Sequence, residues 1–155
     1  MLTERHMQID KEIQTSKFED NYHKVTINLT YTYGWLSNIT REQFEKYNLT
    51  TQQFNILRIL RGQYPNPATV NLLKERMLDK MSDASRIVDR LIQKGMVSRC
   101  TNKADRRAVD IRISDCGLEL LAQMDIDFKA KDLIGNNLTA EEAAQLSDLL
   151  DKMRG

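Results

Sequence analysis

Cysteine is scarce in this chain. Cys100 and Cys116 are the only two in 155 residues, and the two histidines, His6 and His23, stand far from both. No zinc spacing can be made from them. No apolar run approaches the roughly 20 residues needed to span a membrane. The N-terminal stretch MLTERHMQIDKEIQ has early acids and no apolar core segment, so it does not read as a secretory signal. The expected location is the cytoplasm. Phosphate-cradling glycine loops are missing, the histidines have no acid–nucleophile context, and the pair Glu141-Glu142 reads as helix-capping charge. No enzyme, no catalytic residue, no cofactor and no metal site is therefore expected. Repeats and low-complexity stretches are also missing. So is an excess of one charge: the net charge is +1, which taken whole argues against a nucleic-acid binder.

What is present suits a helical soluble protein of one domain or two small lobes, with 41% hydrophobic and 29% charged residues. Residues 1–20 are polar, with sparse apolar positions at Met7, Ile9, Ile13 and Phe18. From Tyr22 to about Tyr47 apolar and aromatic residues become dense. Val25–Tyr33 nearly alternates, so a strand rivals a helix there; helix is favoured because no turn signal brackets the stretch. Thr50 and Gln53 have capping-box spacing, with Leu49 and Phe54 placed as a hydrophobic staple. Phe54, Leu57, Leu60 and Tyr64 continue at helical spacing until Tyr64-Pro65-Asn66-Pro67 stops them. Thr69 opens a shorter helix with Val70, Leu73 and Met77 inward.

The next helix, from about Ser82 to Lys94, puts Ala84, Ile87, Val88, Leu91 and Ile92 on one face. Gly95 supplies a left-handed stop. Two short helices with a tight turn between them, the second strongly amphipathic, make a helix-turn-helix candidate. Val97–Thr101 and Val109–Ser114 follow as strands. In the second, Val109, Ile111 and Ile113 face one way, and Asp110 and Arg112 the other. The loop between them, Asn102 to Ala108, projects. Ser114 caps a helix running to about Ile134. Gly135-Asn136-Asn137 breaks it, and a second capping box, Thr139 with Glu142, opens the last helix.

Charge is concentrated where this pattern sits. Between Arg86 and Arg112 there are eight cations and three acids, so the segment carries +5 and the remainder −4. A local basic patch on a near-neutral chain is the electrostatic mark of a nucleic-acid-binding surface. The outer face of the 82–94 helix offers Ser82, Asp83, Ser85, Arg86, Asp89, Arg90 and Gln93. Short polar side chains at a helix N-terminus reach base edges and phosphates, and arginine can bond guanine bidentately. Asp83 would repel phosphate, so it caps the helix, orients an arginine, or accepts from a cytosine amino group. Lys103, Asp105, Arg106 and Arg107 form the loop. Its cations suit phosphate or the narrow minor groove, and Asp105 can hold the Arg107 guanidinium. The bland alternative is a solvated helix and an ordinary charged hairpin. For the cysteines it is a pair of reduced thiols, against a redox switch with Cys100 in the basic hairpin and Cys116 near a helix start.

Residues from about 49 to 118 resemble the winged-helix region of the MarR family, the multiple-antibiotic-resistance regulators. The matching pieces are Leu49-Thr50-Thr51-Gln52-Gln53-Phe54, then Ser85 to Leu91, Lys94-Gly95-Met96-Val97 and Arg99. The most specific is Asp105-Arg106-Arg107 followed by Val109, Ile111, Ile113-Ser114 and Gly117. The resemblance implies a mainly α fold with a small antiparallel β wing: a winged helix-turn-helix plus a helical dimerisation lobe. It divides the chain into a dimerisation segment at 1–47, a DNA-binding region at 48–114 and dimerisation helices at 115–155. It implies a homodimeric transcriptional regulator, usually a repressor, on a palindromic double-stranded operator, with Arg107 as the foremost minor-groove residue. It also implies a small phenolic or anionic effector bound between the dimer lobe and the winged helix. Tyr31, Tyr33, Trp35 and Phe54 are candidates to line that pocket, although such aromatics also serve as core. The sequence departs from the family's oxidation-sensing branch, which carries its reactive cysteine near the N-terminus. Met81-Ser82-Asp83-Ala84 is an unusual opening for a recognition helix. The alternative reading is a winged-helix protein-interaction module that does not bind DNA.

Overall fold

The computed structural model describes residues 7–102 and 109–155. The chain divides into two compact units, Met1–Thr51 and Gln52–Gly155. In the first, a short helix α1 (Ile9–Glu12) precedes the 25-residue α2 (Asn21–Glu45). The near-alternation of Val25–Tyr33 is helical throughout. Asp20 caps α2, accepting from the His23 amide at 2.7 Å. Thr26, Thr30 and Thr40 turn their hydroxyls back to carbonyls four residues earlier, so these β-branched polar residues satisfy themselves within the helix. Lys24 ties α1 to α2 by donating to Asp10 at 3.2 Å, and Tyr31 donates to Glu12 at 3.0 Å.

The second unit is built around α3 (Thr51–Gln63), α4 (Val70–Arg76), α5 (Ala84–Gln93), the strands β1 (Val97–Thr101) and β2 (Val109–Ile113), and α6 (Asp115–Asp127). Its core takes Leu57 and Leu60 from the expected stripe of α3, Leu73 from α4, Val88 and Leu91 from α5, Ile111 from β2, and Leu121 and Met124 from α6. Ile56 on α3 is buried as well, although the expected stripe did not include it, whereas Phe54 is half-buried and Tyr64 exposed. Each full burial of such a side chain contributes about 1.5–3 kcal/mol. The strands pair antiparallel, with Val97 opposite Ile113 and Thr101 opposite Val109. Ala68 exchanges backbone hydrogen bonds with Ile111, at 2.9 and 2.8 Å, and so pins the hairpin to the segment before α4.

Two boundaries and one side-chain facing differ from the sequence reading. Helix α5 begins at Ala84 rather than near Ser82, because Asp83 takes the capping position. The helix from Ser114 does not run to Ile134: it stops at Asp127, Phe128 is extended, and a short α7 (Ala130–Ile134) follows. Asp110 does not share an exposed face with Arg112; it is buried and accepts from Asn102 Nδ2 at 2.8 Å. The final helix, α8 (Ala140–Arg154), opens on the expected capping box, with both Thr139–Glu142 hydrogen bonds made. No helix of the described residues is long and apolar enough to cross a membrane.

Candidate nucleic-acid interface

The interface begins with the turn between α4 and α5. Thr69 caps α4 and Met77 ends it in an extended conformation. The chain then reverses around Asp79, whose carboxylate accepts from the Ser82 hydroxyl at 2.6 Å, the Met81 amide at 3.0 Å and Gln52 Nε2 at 3.4 Å. These hydrogen bonds favour the ionised form, the Ser82 hydroxyl most of all, and hold the Asp79 pKa below the ordinary carboxylate value. Asn55 Oδ1 on α3 receives the Leu78 amide at 2.9 Å. The turn is thus fixed by side chains 23 and 27 residues upstream of the groups they bind. The sequence reading placed Ser82 on the reading face; the structure commits its hydroxyl to this turn.

Helix α5 starts from Asp83, which accepts from the Arg86 amide at 3.2 Å. Of the three roles open to Asp83, the cap is the one occupied here. Ala84, Val88 and Leu91 are buried, whereas Arg86, Asp89, Arg90 and Gln93 are exposed and Ser85 is half-buried. The helix ends in a Schellman motif: Gly95, at φ +70°, donates to Ile92 O at 2.9 Å, and Met96 donates to Leu91 O at 3.0 Å. That stop turns the chain directly into β1. Lys94 reaches back to donate to the buried Gln53 at 3.1 Å, anchoring the C-terminal end of α5 to α3.

One contact on this face was missed. Arg99 on β1 donates to Asp89 Oδ1 on α5 at 2.7 Å, with both side chains substantially exposed. It offsets the negative charge of a carboxylate on the outer face of α5, and it links helix to hairpin. The opposite charges ten residues apart were visible, but only the strand pairing brings Arg99 alongside α5. Asn102, beside the buried Asp110, closes the base of the hairpin. Lys103, Asp105, Arg106 and Arg107, expected to make the wing's contacts, lie outside the described residues.

The remaining expected residues are placed individually. On α2, Tyr31 and Tyr33 are exposed and Trp35 is half-buried; Phe54 on α3 is half-buried. Cys100 on β1 and Cys116 on α6 are both exposed and free. Among the described residues no three of His, Cys, Asp and Glu cluster as a cation site.

An amphipathic helix held by a fixed turn to the helix before it, stopped by glycine and continued into a two-stranded antiparallel hairpin, defines a winged helix-turn-helix. The MarR family model matches residues 49–109. The multiple antibiotic resistance protein MarR of Escherichia coli (strain K12) is 31% identical over 119 residues, which are 74% of this chain and 80% of that protein. The HTH-type transcriptional repressor MdtR of Bacillus subtilis (strain 168) is 34% identical over 76 residues, 49% of this chain and 48% of that one, so the chain spans about half of MdtR's length. The crystal structure of a mutant MarR from E. coli complexed with operator DNA aligns with a TM-score of 0.72 at 26% identity, covering 87% of this chain and 99% of that one. The chain belongs to the MarR family of transcriptional regulators.

Proposed function

We propose that the protein is a homodimeric repressor that reads a palindromic double-stranded DNA operator with α5 and its hairpin loop. The observation that carries this is the division of α5: an apolar face sealed in the core, and an outer face presenting Arg86 and Arg90, held at one end by the Asp79 turn and at the other by Gly95. A helix fixed at both ends can enter a major groove without losing much conformational freedom. In the operator complex, Ser85, Arg86 and Arg90 meet base edges and phosphates. Asp83 and Ser82 shape the approach, and Lys103, Arg106 and Arg107 contact phosphate or the minor groove, with Asp105 positioning Arg107. Exposed apolar side chains support the dimer: Val25, Leu29 and Leu36 on α2, and Leu146, Leu149 and Met153 on α8. A two-fold axis would set the reading helices about 34–36 Å apart, one turn of DNA. Release by a small phenolic or anionic effector belongs to the same proposal. It acts by favouring a spacing of the reading helices that does not match the groove, and Trp35→Phe is the first variant in which to look for an altered response.

Selection of duplexes from a random pool, followed by gel-shift titration, tests the proposal. The expected outcome is a two-fold-symmetric site. Arg107→Ala should weaken binding to it with an unchanged circular-dichroism melt. Unchanged affinity would remove the wing from the interface. A protein that enriches no duplex would instead be an interaction module.

A further inference from the structure

Resting on the DNA-reading function above, we propose that Met81 is a specificity residue whose thioether side chain packs against thymine C5 methyl groups on the floor of the major groove. Met81 is 95% exposed, and beside it Leu78 is 85% exposed; no other large apolar side chain described is as open. Exposure of that degree in a loose loop would mean little, but this segment is not loose. The Met81 amide is held by Asp79 Oδ1 at 3.0 Å, and the next residue, Ser82, is held by Asp79 Oδ2 at 2.6 Å. The turn therefore holds the backbone of an apolar side chain at a defined place in water.

That place is the N-terminal end of the reading helix. Asp83 caps α5, and Met81 stands two residues before it. In helix-turn-helix proteins the N-terminal residues of the second helix approach the base edges. Lys74, Met77, Asp79, Lys80, Met81, Ser82 and Asp83 line a cleft of about 430 Å³. The polar groups of this cleft are largely committed. Asp79 is bound to the turn, the Ser82 hydroxyl to Asp79, Asp83 to the Arg86 amide, and Lys80 donates to the Glu75 carbonyl. The cleft thus sets an unengaged apolar side chain among polar groups that are already engaged, with the cations Lys74 and Lys80 balanced by the carboxylates of Asp79 and Asp83. What such a side chain can meet in the major groove is its apolar feature, the thymine methyl. Methionine's flexible, polarisable side chain suits a contact whose exact position varies with the base step.

The test is fluorescence anisotropy of the full chain on a duplex selected from a random pool. Symmetric pairs of thymines are replaced in turn by deoxyuridine, which removes only the methyl. At one symmetric position the wild-type protein should lose about fourfold in affinity per half-site, the worth of one buried methyl. Met81→Ala should bind the unmodified duplex that much more weakly and show no further loss at that position. Arg86→Ala, weaker overall, should keep the deoxyuridine response. Equal sensitivity of Met81→Ala and wild type at every thymine would overturn the assignment. So would a wild type indifferent to every replacement while still separating the selected duplex from a scrambled one, a result that leaves DNA reading intact. Failure to select any duplex would overturn both.

Discussion

Single carboxylates set the local geometry of the interface. Asp79 organises the turn, Asp83 begins the helix and Asp89 accepts Arg99. Asp83→Ala should lose the cap and cost about 1 kcal/mol, seen as a melting temperature lower by about 2–4 °C; Asp83→Asn, which can still accept, should restore most of it. Asp79 and Asp125 also make stability depend on pH. Asp125 on α6 accepts from Arg61 at 2.6 Å and Arg58 at 2.9 Å on α3. The Arg61 hydrogen bond is the largest influence and keeps its pKa below the ordinary carboxylate value; partial burial opposes it, and the charges of Arg61 and Arg58 add to the lowering. A carboxylate whose pKa is lower in the folded than in the unfolded chain stabilises the fold above its unfolded value, about 3.9. That contribution is lost as the pH falls through the folded value. The melting temperature should therefore be level near neutrality and fall below about pH 4, and Asp125→Asn should make the acid fall shallower. An unchanged acid limb in Asp125→Asn would remove that pair from the stability of the fold.

Elements were legible in the sequence where their signals are local. The apolar stripe of α5, the glycine after it and the Thr139–Glu142 box of α8 each lie within a few residues, and each stands where expected. The break after Asp127 was not legible, since Asp127-Phe128-Lys129 contains neither glycine nor proline. The partners that fix the reading element were illegible for another reason. Asn55 with Leu78, Gln53 with Lys94 and Asp79 with Gln52 are separated by 23, 41 and 27 residues, and only folding joins them. Gly95 sets how the hairpin follows α5, and Gly117 sets how α6 follows the hairpin. Gly95→Ala forces an L-residue to φ +70° and should cost about 1–2 kcal/mol, with no steric clash, since nothing lies within 4 Å of the added Cβ. At Gly117 the cost is steric: a Cβ would lie 2.6 Å from the Met96 carbonyl oxygen and 2.8 Å from Ile113 Cγ1. Gly117→Ala must push α6 away from the hairpin and should cost about 1–3 kcal/mol. Chemical denaturation of both variants checks this; a Gly117→Ala protein as stable as wild type would mean that α6 sits more loosely on the hairpin than described.

At the scale of the molecule, the near-zero net charge conceals a division of labour. The segment from Arg86 to Arg112 carries +5 and the remainder −4, so the cationic excess is confined to one stretch of chain. The exposed leucines of α8 belong to the dimer in the proposed function. Light scattering at micromolar concentration should give twice the 18.0 kDa mass of one chain, and Leu149→Glu should shift it towards a monomer. A wild-type monomer would remove the two-fold axis and with it the palindromic site. The most direct test of the central claim, that the outer face of α5 reads DNA, is the affinity for a selected duplex and its scrambled counterpart across a series of salt concentrations. The account predicts a selected-site preference of at least about a thousandfold and a log–log salt slope of roughly −0.9 for each phosphate neutralised. Arg86→Ala with Arg90→Ala should erase most of the preference and leave the fold intact. Equal affinity for both duplexes, or a preference untouched by the two substitutions, would contradict it.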